Sequence, residues 1–416
     1  MIFLYELCLP VLAVLLLPII VVAMLIKPKF RAGFWKKLGF YSPKTQYSET
    51  IMFHAVSVGE VNAVAQLVKE YRNRNKESKI ILTTTTKTGQ EVAQKSLGSV
   101  VDEITYFPFD FFFSVLSFFK KYNPVKIIIA ETEIWPCFVH IAKKQGRKVY
   151  TVNGRISPHS ADGYKRIRFF LEGVFRNYEK IFMQTDYDKE RILSAGARAK
   201  QVEIMGNLKF DITPNLTQEE IDNYKNSLKL NNSRLFIAAS THKGEDEIVL
   251  KCFKDLKAKY SDMKLLLAPR HPQRFEAVES LIKETGFSYG LKSKGAEFET
   301  SEIIMLDTMG ELAKLFSLSY VAFIGGSFSL TGGHNPLEAN IWGVPVLSGP
   351  SVHNFKDIYR ILTEEKATVV VETAEELKNE LDEFYSDSQK RNEYSRNCHS
   401  VFEKNHGAIE FVLERI

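Results

Sequence analysis

From residue 51 onward the chain alternates short β-branched runs with amphipathic stretches, and after a polar interval it does so a second time. Strand followed by helix in this rhythm predicts a parallel sheet covered by helices on both faces. The first set of strands is expected at 51–57, 79–85, 125–131, 148–154, 180–185 and 202–206, and the second at 234–240, 264–269, 302–307, 320–326, 344–349 and 367–372. The stretch between the sets, 212–233, is polar, with a proline and several asparagines, and reads as a linker with a short helix. At 416 residues the chain is too long for one ordinary core. The expectation is therefore α/β, with two Rossmann-like domains at 27–211 and 234–416 and a last helix crossing back to the first. Two such domains are expected to turn the carboxyl ends of their sheets, where ligands bind in open α/β folds, toward a shared cleft. A dehydrogenase is disfavoured, because GxGxxG follows the first strand of neither half.

Residues 2–26 are nearly all apolar, interrupted by Glu6, Pro10 and Pro18. About 20 such residues cross the hydrocarbon of a bilayer as a helix, so residues 1–26 read as a single-pass membrane anchor. The basic residues Lys27, Lys29, Arg31, Lys36, Lys37 and Lys44 follow this run rather than precede it. That order argues against a cleaved secretory signal and places the body of the protein on the cytoplasmic face of an inner membrane. A helix lying in the interface is the first alternative and a buried core helix the second. Net charge is only +5 with a pI near 8.7, which suits an anionic surface or substrate and not a nucleic-acid groove. Cys8, Cys137, Cys252 and Cys398 are scattered with no metal-ligand spacing, which predicts a reducing compartment and no structural zinc. Outside the first segment, GYKRIRFF (163–170) and DFFFSVLSFFKK (110–121) mix aromatic and cationic groups suited to anionic membrane lipid, although the phenylalanines of the second also fit a core.

Chemistry-bearing residues gather after the expected strands. HAVSVGE (54–60) ends a strand and opens a helix, so Glu60 stands at a strand's carboxyl edge; it reads as a general base or as an ordinary helix-dipole carboxylate. ETEIWP places Glu131 or Glu133 at the same edge. In the second half, LLLAPRHPQRF (265–275) sets Arg270, His271 and Arg274 behind a buried strand, where guanidinium groups bind phosphate in a fork. FIGGSFSLTGGHNPLEANIWGVPVLSGP (323–350) leads a glycine-rich turn into a helix expected near Asn335, an arrangement that favours an anion, with Glu338 one turn in to bind a ribose. Gly310 in DTMGELAKLF lets the backbone approach a base or phosphate. Asp186 and Asp188 form a DxD, but they open a helix and read as capping residues, so no metal and no cofactor are expected.

HAVSVGE, ETEIWP, GNLKFD, APRHPQR, DTMGEL and GGHNPLEA occur in that order behind the apolar segment, and the whole chain resembles the bacterial Kdo (3-deoxy-D-manno-octulosonic acid) transferases. The resemblance implies a GT-B fold, a CMP-β-Kdo donor, a lipid A precursor (lipid IVA) as acceptor, and metal-free inverting transfer. It also implies that Glu60 is the general base and that Glu131 and Lys209 stabilise the transition state. By the same resemblance CMP is held by Pro269, Arg270, Met309, Gly310, Glu311, Asn335, Pro336, Leu337 and Glu338. Two other readings fit parts of the pattern: a nucleotide-sugar 2-epimerase of the same fold, which needs no anchor, and a membrane-tethered nucleotide-binding module, which leaves Glu60 and Glu131 without a role.

Overall fold

The computed structural model describes residues 2–26, 31–212, 216–295 and 298–416. Lys27 and Lys29 of the basic flank lie outside the described residues. The chain forms two compact units, Met1–Asp211 with Asn405–Ile416, and Ile212–Lys404.

The first unit holds β1 (Thr50–His54), β2 (Ile80–Thr84), β3 (Glu103–Tyr106), β4 (Pro124–Ala130), β5 (Lys148–Gly154), β6 (Lys180–Met183) and β7 (Val202–Ile204). They form one wholly parallel sheet in the order β3-β2-β1-β4-β5-β6-β7. Successive side chains of a strand leave opposite faces, so one apolar run supplies two cores. Met52, Ile81, Ile127 and Ile129 meet Phe118, Phe119 and Phe138 on one face. Phe53, Ile80, Leu82 and Ile128 meet Val64, Leu67 and Val68 on the other. Phe53 pairs with Leu82 and Ile128 across its two neighbours, which locks the register at the centre of the sheet.

The second unit repeats the plan with β8 (Arg234–Thr241), β9 (Met263–Pro269), β10 (Tyr289–Leu291), β11 (Ile303–Met305), β12 (Ser319–Ile324), β13 (Val346–Ser348) and β14 (Thr368–Val370). Its order is β10-β11-β9-β8-β12-β13-β14, again all parallel. Each sheet thus contains a strand absent from the sequence expectation, β3 and β10, and both lie at an edge. The helix Gln218–Ser227, within the expected linker, opens with a Thr217/Glu220 capping box, and Leu228 and Leu230 behind it are buried in the second unit's core.

The apolar start of the chain is bent. Helices Ile2–Leu15 and Leu17–Ile26 meet at 57°, and among the described residues no single helix is long and apolar enough to cross a membrane. This corrects the expectation of one continuous helix. Pro18 lies in the first turn of the second helix, where it has no N–H to offer the Val14 carbonyl and its ring crowds that oxygen. The first helix also touches the body of its unit. Tyr5 Oη donates to Asp110 Oδ2 at 3.0 Å, and Ile2 and Tyr5 pack on the first core. Asp110 in turn accepts from the amides of Cys137 (3.0 Å) and Phe138 (2.8 Å), capping the helix Pro136–Lys144.

The last residues of the chain are fixed by a buried carboxylate. Asp211 accepts from the Gly407 amide at 2.6 Å and from the Ile409 amide, at the start of the helix Ala408–Leu413. That helix buries Ala408, Ile409 and Val412 against the helix Val58–Arg74. Asp211→Ala is expected to remove this cap at a cost of about 1 to 2 kcal/mol, read as a lower urea midpoint for the first unit.

Candidate functional site

In an open α/β sheet the strand order reverses at one point, and the loops leaving the two strands on either side of it part to form a crevice. In the first unit the reversal falls between β1 and β4. Glu60 follows β1, in the first turn of the helix Val58–Arg74, and Glu131 follows β4. The Glu60 carboxylate is buried and accepts from the Val56 amide at 2.8 Å and the Ser57 hydroxyl at 3.0 Å. Burial pushes it up to about 7; the Val56 and Ser57 bonds pull against that shift, and the charges of Glu131 and Glu133 add to it. Glu133 is also raised, by burial and then by Glu131. Three acids therefore converge at one sheet edge, at neutral pH the setting of a general base.

Glu131 is held in place by its backbone and by a cation. It sits at φ 54, a conformation seldom adopted outside glycine, with its amide on the Val152 carbonyl at 2.8 Å. Arg155 Nε donates to its carboxylate at 3.2 Å. Lys209 lies in the 3₁₀ turn Leu208–Phe210, which packs on the helix that carries Glu60. Asn153, at φ 56, accepts from the Leu208 amide at 3.1 Å, and Asn207 accepts from the Lys209 amide at 3.0 Å. Sequence reasoning missed two neighbours of the acids. His54 closes β1 and Trp135 follows β4; His54 Nε2 and Trp135 Nε1 are both buried without a partner among the described residues. Burial drives His54 down to about 3, so its ring is neutral, stacked on Phe107 with centroids 4.0 Å apart.

In the second unit the reversal falls between β8 and β12. Glu245 organises it. This carboxylate is fully buried and accepts four amides: those of His242 (2.8 Å), Gly326 (2.7 Å), Ser327 (2.8 Å) and Phe328 (2.8 Å). The loops after β8 and β12 are thereby tied to one group. Gly325 is required by closeness, since a Cβ there would stand 2.6 Å from the Ser240 carbonyl oxygen.

The two arginines behind β9 have separate tasks. Arg274 donates to the Thr241 carbonyl at 2.8 Å and pairs with the buried Asp246, so it is a structural residue. Arg270 is exposed, and its guanidinium makes no hydrogen bond or ion pair with the described residues. It lies close enough to Glu338 and His334 to shift both. Pro269 closes β9 and is buried. Met309 is exposed, Gly310 has φ 91 with open space where a Cβ would be, and Glu311 bonds the Thr308 hydroxyl ahead of the short helix Leu312–Leu315. The helix expected near Asn335 is a single turn, Leu337–Asn340, with Pro336 before it. Asn335 accepts from the Leu337 amide at 3.2 Å and donates to Glu338 at 3.4 Å. Burial raises the Glu338 carboxyl, against the Asn335 bond and the Arg270 charge.

The DxD has no free carboxylate to offer at its second position. Asp188 is buried and accepts from the Ile156 amide at 2.9 Å and the Thr185 hydroxyl at 2.6 Å, while Thr185 and not Asp186 caps the helix Asp186–Ser194.

Two parallel Rossmann-like units with these strand orders define the GT-B class, shared by glycosyltransferases and nucleotide-sugar epimerases. The solved UDP-GlcNAc 2-epimerase of Neisseria meningitidis has this fold, matching with a TM-score of 0.57 at 12% identity over 88% of this chain and 98% of its own. The sequence is more specific. Residues 32–212 match the family described as 3-deoxy-D-manno-octulosonic-acid transferase (kdotransferase). The chain is 33% identical to the 3-deoxy-D-manno-octulosonic acid transferase of Haemophilus influenzae over 93% of its own length and 91% of that protein's. It is 34% identical to a bifunctional glycosyltransferase/methyltransferase of Fusobacterium nucleatum, over 91% of this chain and 59% of that protein. The chain belongs to the 3-deoxy-D-manno-octulosonic acid transferase family and is a glycosyltransferase.

The contrast between the arginines is open to measurement. Arg274→Ala strands the buried Asp246 charge and is expected to cost about 3 to 5 kcal/mol in a denaturant titration. Arg270→Ala is expected to leave the melting temperature within a degree or two, since surface changes shift stability by only about 0.5 kcal/mol.

Proposed function

We propose that this chain transfers Kdo from CMP-β-Kdo to the lipid A precursor, with inversion at the anomeric carbon and Glu60 as the general base. The first unit activates the acceptor and the second binds the donor. The observation that carries this reading is the Glu60 carboxylate: it is buried at the strand-order reversal, has Glu131 and Glu133 beside it, and is pushed up to about 7. A base is most effective when its pKa lies near the working pH. Inverting transfer needs such a group, because the acceptor hydroxyl loses its proton as it attacks while CMP leaves with negative charge.

On this reading Glu131 and Lys209 stabilise the transition state. Arg270 supplies a free cation for the donor's phosphate, and a charge-assisted bond of that kind contributes roughly 1.5 to 3 kcal/mol. The Gly310 backbone, with φ 91 and no neighbour where a side chain would be, leaves room for a ligand between Met309 and Glu311. Asn335 to Glu338 complete the CMP contacts.

The same proposal places the protein at an inner membrane, with its catalytic units on the cytoplasmic face. Support comes from the first helix pair, whose described side chains are largely exposed and apolar, among them Phe3, Leu7, Leu15, Ile19, Leu25 and Ile26. Trp35, Phe112, Phe113, Leu116, Ile167 and Phe169 of the first unit are exposed as well. These apolar groups, with Lys165, Arg166 and Arg168 exposed on the same unit, suit a surface of anionic lipid. A chain lacking residues 1–26 is expected to sediment with anionic vesicles and not with neutral ones; equal behaviour toward both would remove the lipid surface.

Glu60→Gln is the direct test of the base. It keeps the acceptor for the Val56 amide and removes basicity, so turnover is expected to fall by roughly 10² to 10⁴ while CMP binding is unchanged in calorimetry. The wild-type rate should rise with pH through about 7, as the carboxyl ionises. Stability has the opposite sign. A carboxyl raised by folding is favoured in its protonated form, so the native state loses stability as pH climbs from the ordinary carboxylate range to about 7. Above that window Glu60→Gln should melt no lower than wild type. A variant that melts lower and keeps near-normal turnover would make Glu60 a helix-dipole residue.

A further inference from the structure

Three histidines converge where the strand order of the second sheet reverses, and none belongs to the donor contacts assigned above. His242 directly follows β8, His271 follows β9, and His334 lies in the loop after β12. His242 Nε2 and His334 Nε2 are 2.9 Å apart, with the rings stacked at 15° and centroids separated by 5.2 Å. His271 meets His242 edge-on, at 5.3 Å and 88°.

The surrounding backbone is built to hold this pair. The Glu245 carboxylate fixes the His242 amide and the Gly326 amide together. Gly326, at φ 71, lies under the His334 ring, where a Cβ would stand 3.0 Å from Cδ2. The His334 carbonyl accepts from Tyr359 Oη at 3.3 Å.

A contact between two imidazole nitrogens holds one proton, since one must donate and the other accept. A second proton would set two donors against each other, so the free pair is neutral. Burial favours the same state; it lowers both rings, His334 to about 4, and Arg270, His242 and His271 lower His334 further. For His242, Glu245 pulls upward while His271, Arg274 and Arg270 push down. Of the charges facing the pair, Arg274 is neutralised by Asp246, and Glu245 is shared among four amides. Arg270 retains a full charge, with Glu338 as its acidic neighbour. Such surroundings favour an anionic ligand, and an anion brought to the two Nε2 atoms would make the second proton favourable.

Resting on the reading that this unit binds a CMP-sugar, we propose that His242 and His334 seat the donor's phosphate. When the phosphate binds, the pair takes up one proton, the contact between the nitrogens opens, and each Nε2–H donates to a phosphate oxygen. In the transfer the bond from anomeric carbon to phosphate oxygen breaks, and its electron pair goes to the phosphate. The acceptor oxygen bonds to the anomeric carbon and its proton passes to Glu60. The histidines keep their protons and stabilise the charge arriving on CMP.

The test uses the full chain and the methyl ester of CMP, a phosphodiester like the donor whose single charge is constant across the histidine range. Its dissociation constant is measured by calorimetry between about pH 5.5 and 8.5. Uptake of one proton makes affinity fall by up to about tenfold per pH unit within that range. His242→Gln and His334→Gln are each expected to flatten the dependence and weaken binding at the acid end by about tenfold, whereas His271→Gln leaves the slope in place. A wild-type affinity independent of pH would overturn the proposal without any variant needing to fold. A slope lost in His271→Gln and kept in the other two would also overturn it. A wild-type chain that binds no CMP ester at any pH would remove the donor reading itself, and this proposal with it.

Discussion

Each sheet is wholly parallel and reverses its order beside its first strand, and this constraint sets where every functional group stands. The first crossover helix of each unit must begin at the reversal, with its free amides and its first-turn acid turned to the same edge. The first unit puts Glu60 there and the second puts Glu245. The two acids have different surroundings. Glu245 is surrounded by four amides and joins two loops into one surface. Glu60 has one amide and one hydroxyl, and two further acids stand close by. An acid saturated with donors is a structural anchor, whereas one buried with few donors among like charges holds a proton near neutrality. Equivalent positions in similar folds thus carry opposite roles.

The same logic separates residues that share a motif. Arg270 and Arg274 lie four positions apart behind β9, and both are suited to bind phosphate. Arg270 gives the Thr241 carbonyl only its backbone amide, at 3.0 Å, whereas the Arg274 guanidinium bonds both that carbonyl and Asp246. What decides the matter is the helix Glu245–Lys257, whose first turn carries Asp246 from another strand's crossover. That pairing fixes the loop after β9 and leaves Arg270 at its outer end.

Much of this was legible in the sequence because the central strands are apolar runs bounded by turn residues. Two strands were not. β3 reads EITY, alternating buried and half-buried positions at an edge, and β10 has only three residues, one of them glycine. Edge strands have a neighbour on one side only, so they need no long apolar run and leave little periodic signal. The acids at 60, 131 and 133 were visible as strand-end residues, but their mutual influence depends on β1 and β4 lying side by side across seventy residues of chain. His334 was visible within GGHNPLEA, yet its partner His242 comes from a different crossover and follows no spacing rule. The helix expected at Asn335 is only one turn, because the chain leaves it at once through a turn closed by the Gly343 amide on the Asn340 carbonyl at 2.9 Å, with Gly343 at φ 68.

The apolar start of the chain shows how local and tertiary forces combine. Composition alone describes a tether, free to swivel on a basic stem. Pro18 breaks the run into two helices, and Tyr5 ties the first of them to Asp110, the carboxylate that also caps the helix Pro136–Lys144. Asp110 is itself pushed up to about 7, first by burial, against the Cys137, Phe138 and Tyr5 bonds. A helix held at Ile2 and Tyr5 has a fixed outward side, and Phe3, Leu4, Leu7 and Val11 occupy it. The exposed Phe169 belongs to the helix Arg168–Phe175, whose Phe170 ring packs 5.8 Å from that of Tyr5. Apolar surface is thus presented by two elements joined through one aromatic contact. On the proposal that this face meets a lipid surface, a membrane that takes up one element takes up the other, and the segment would orient the first unit as well as attach it.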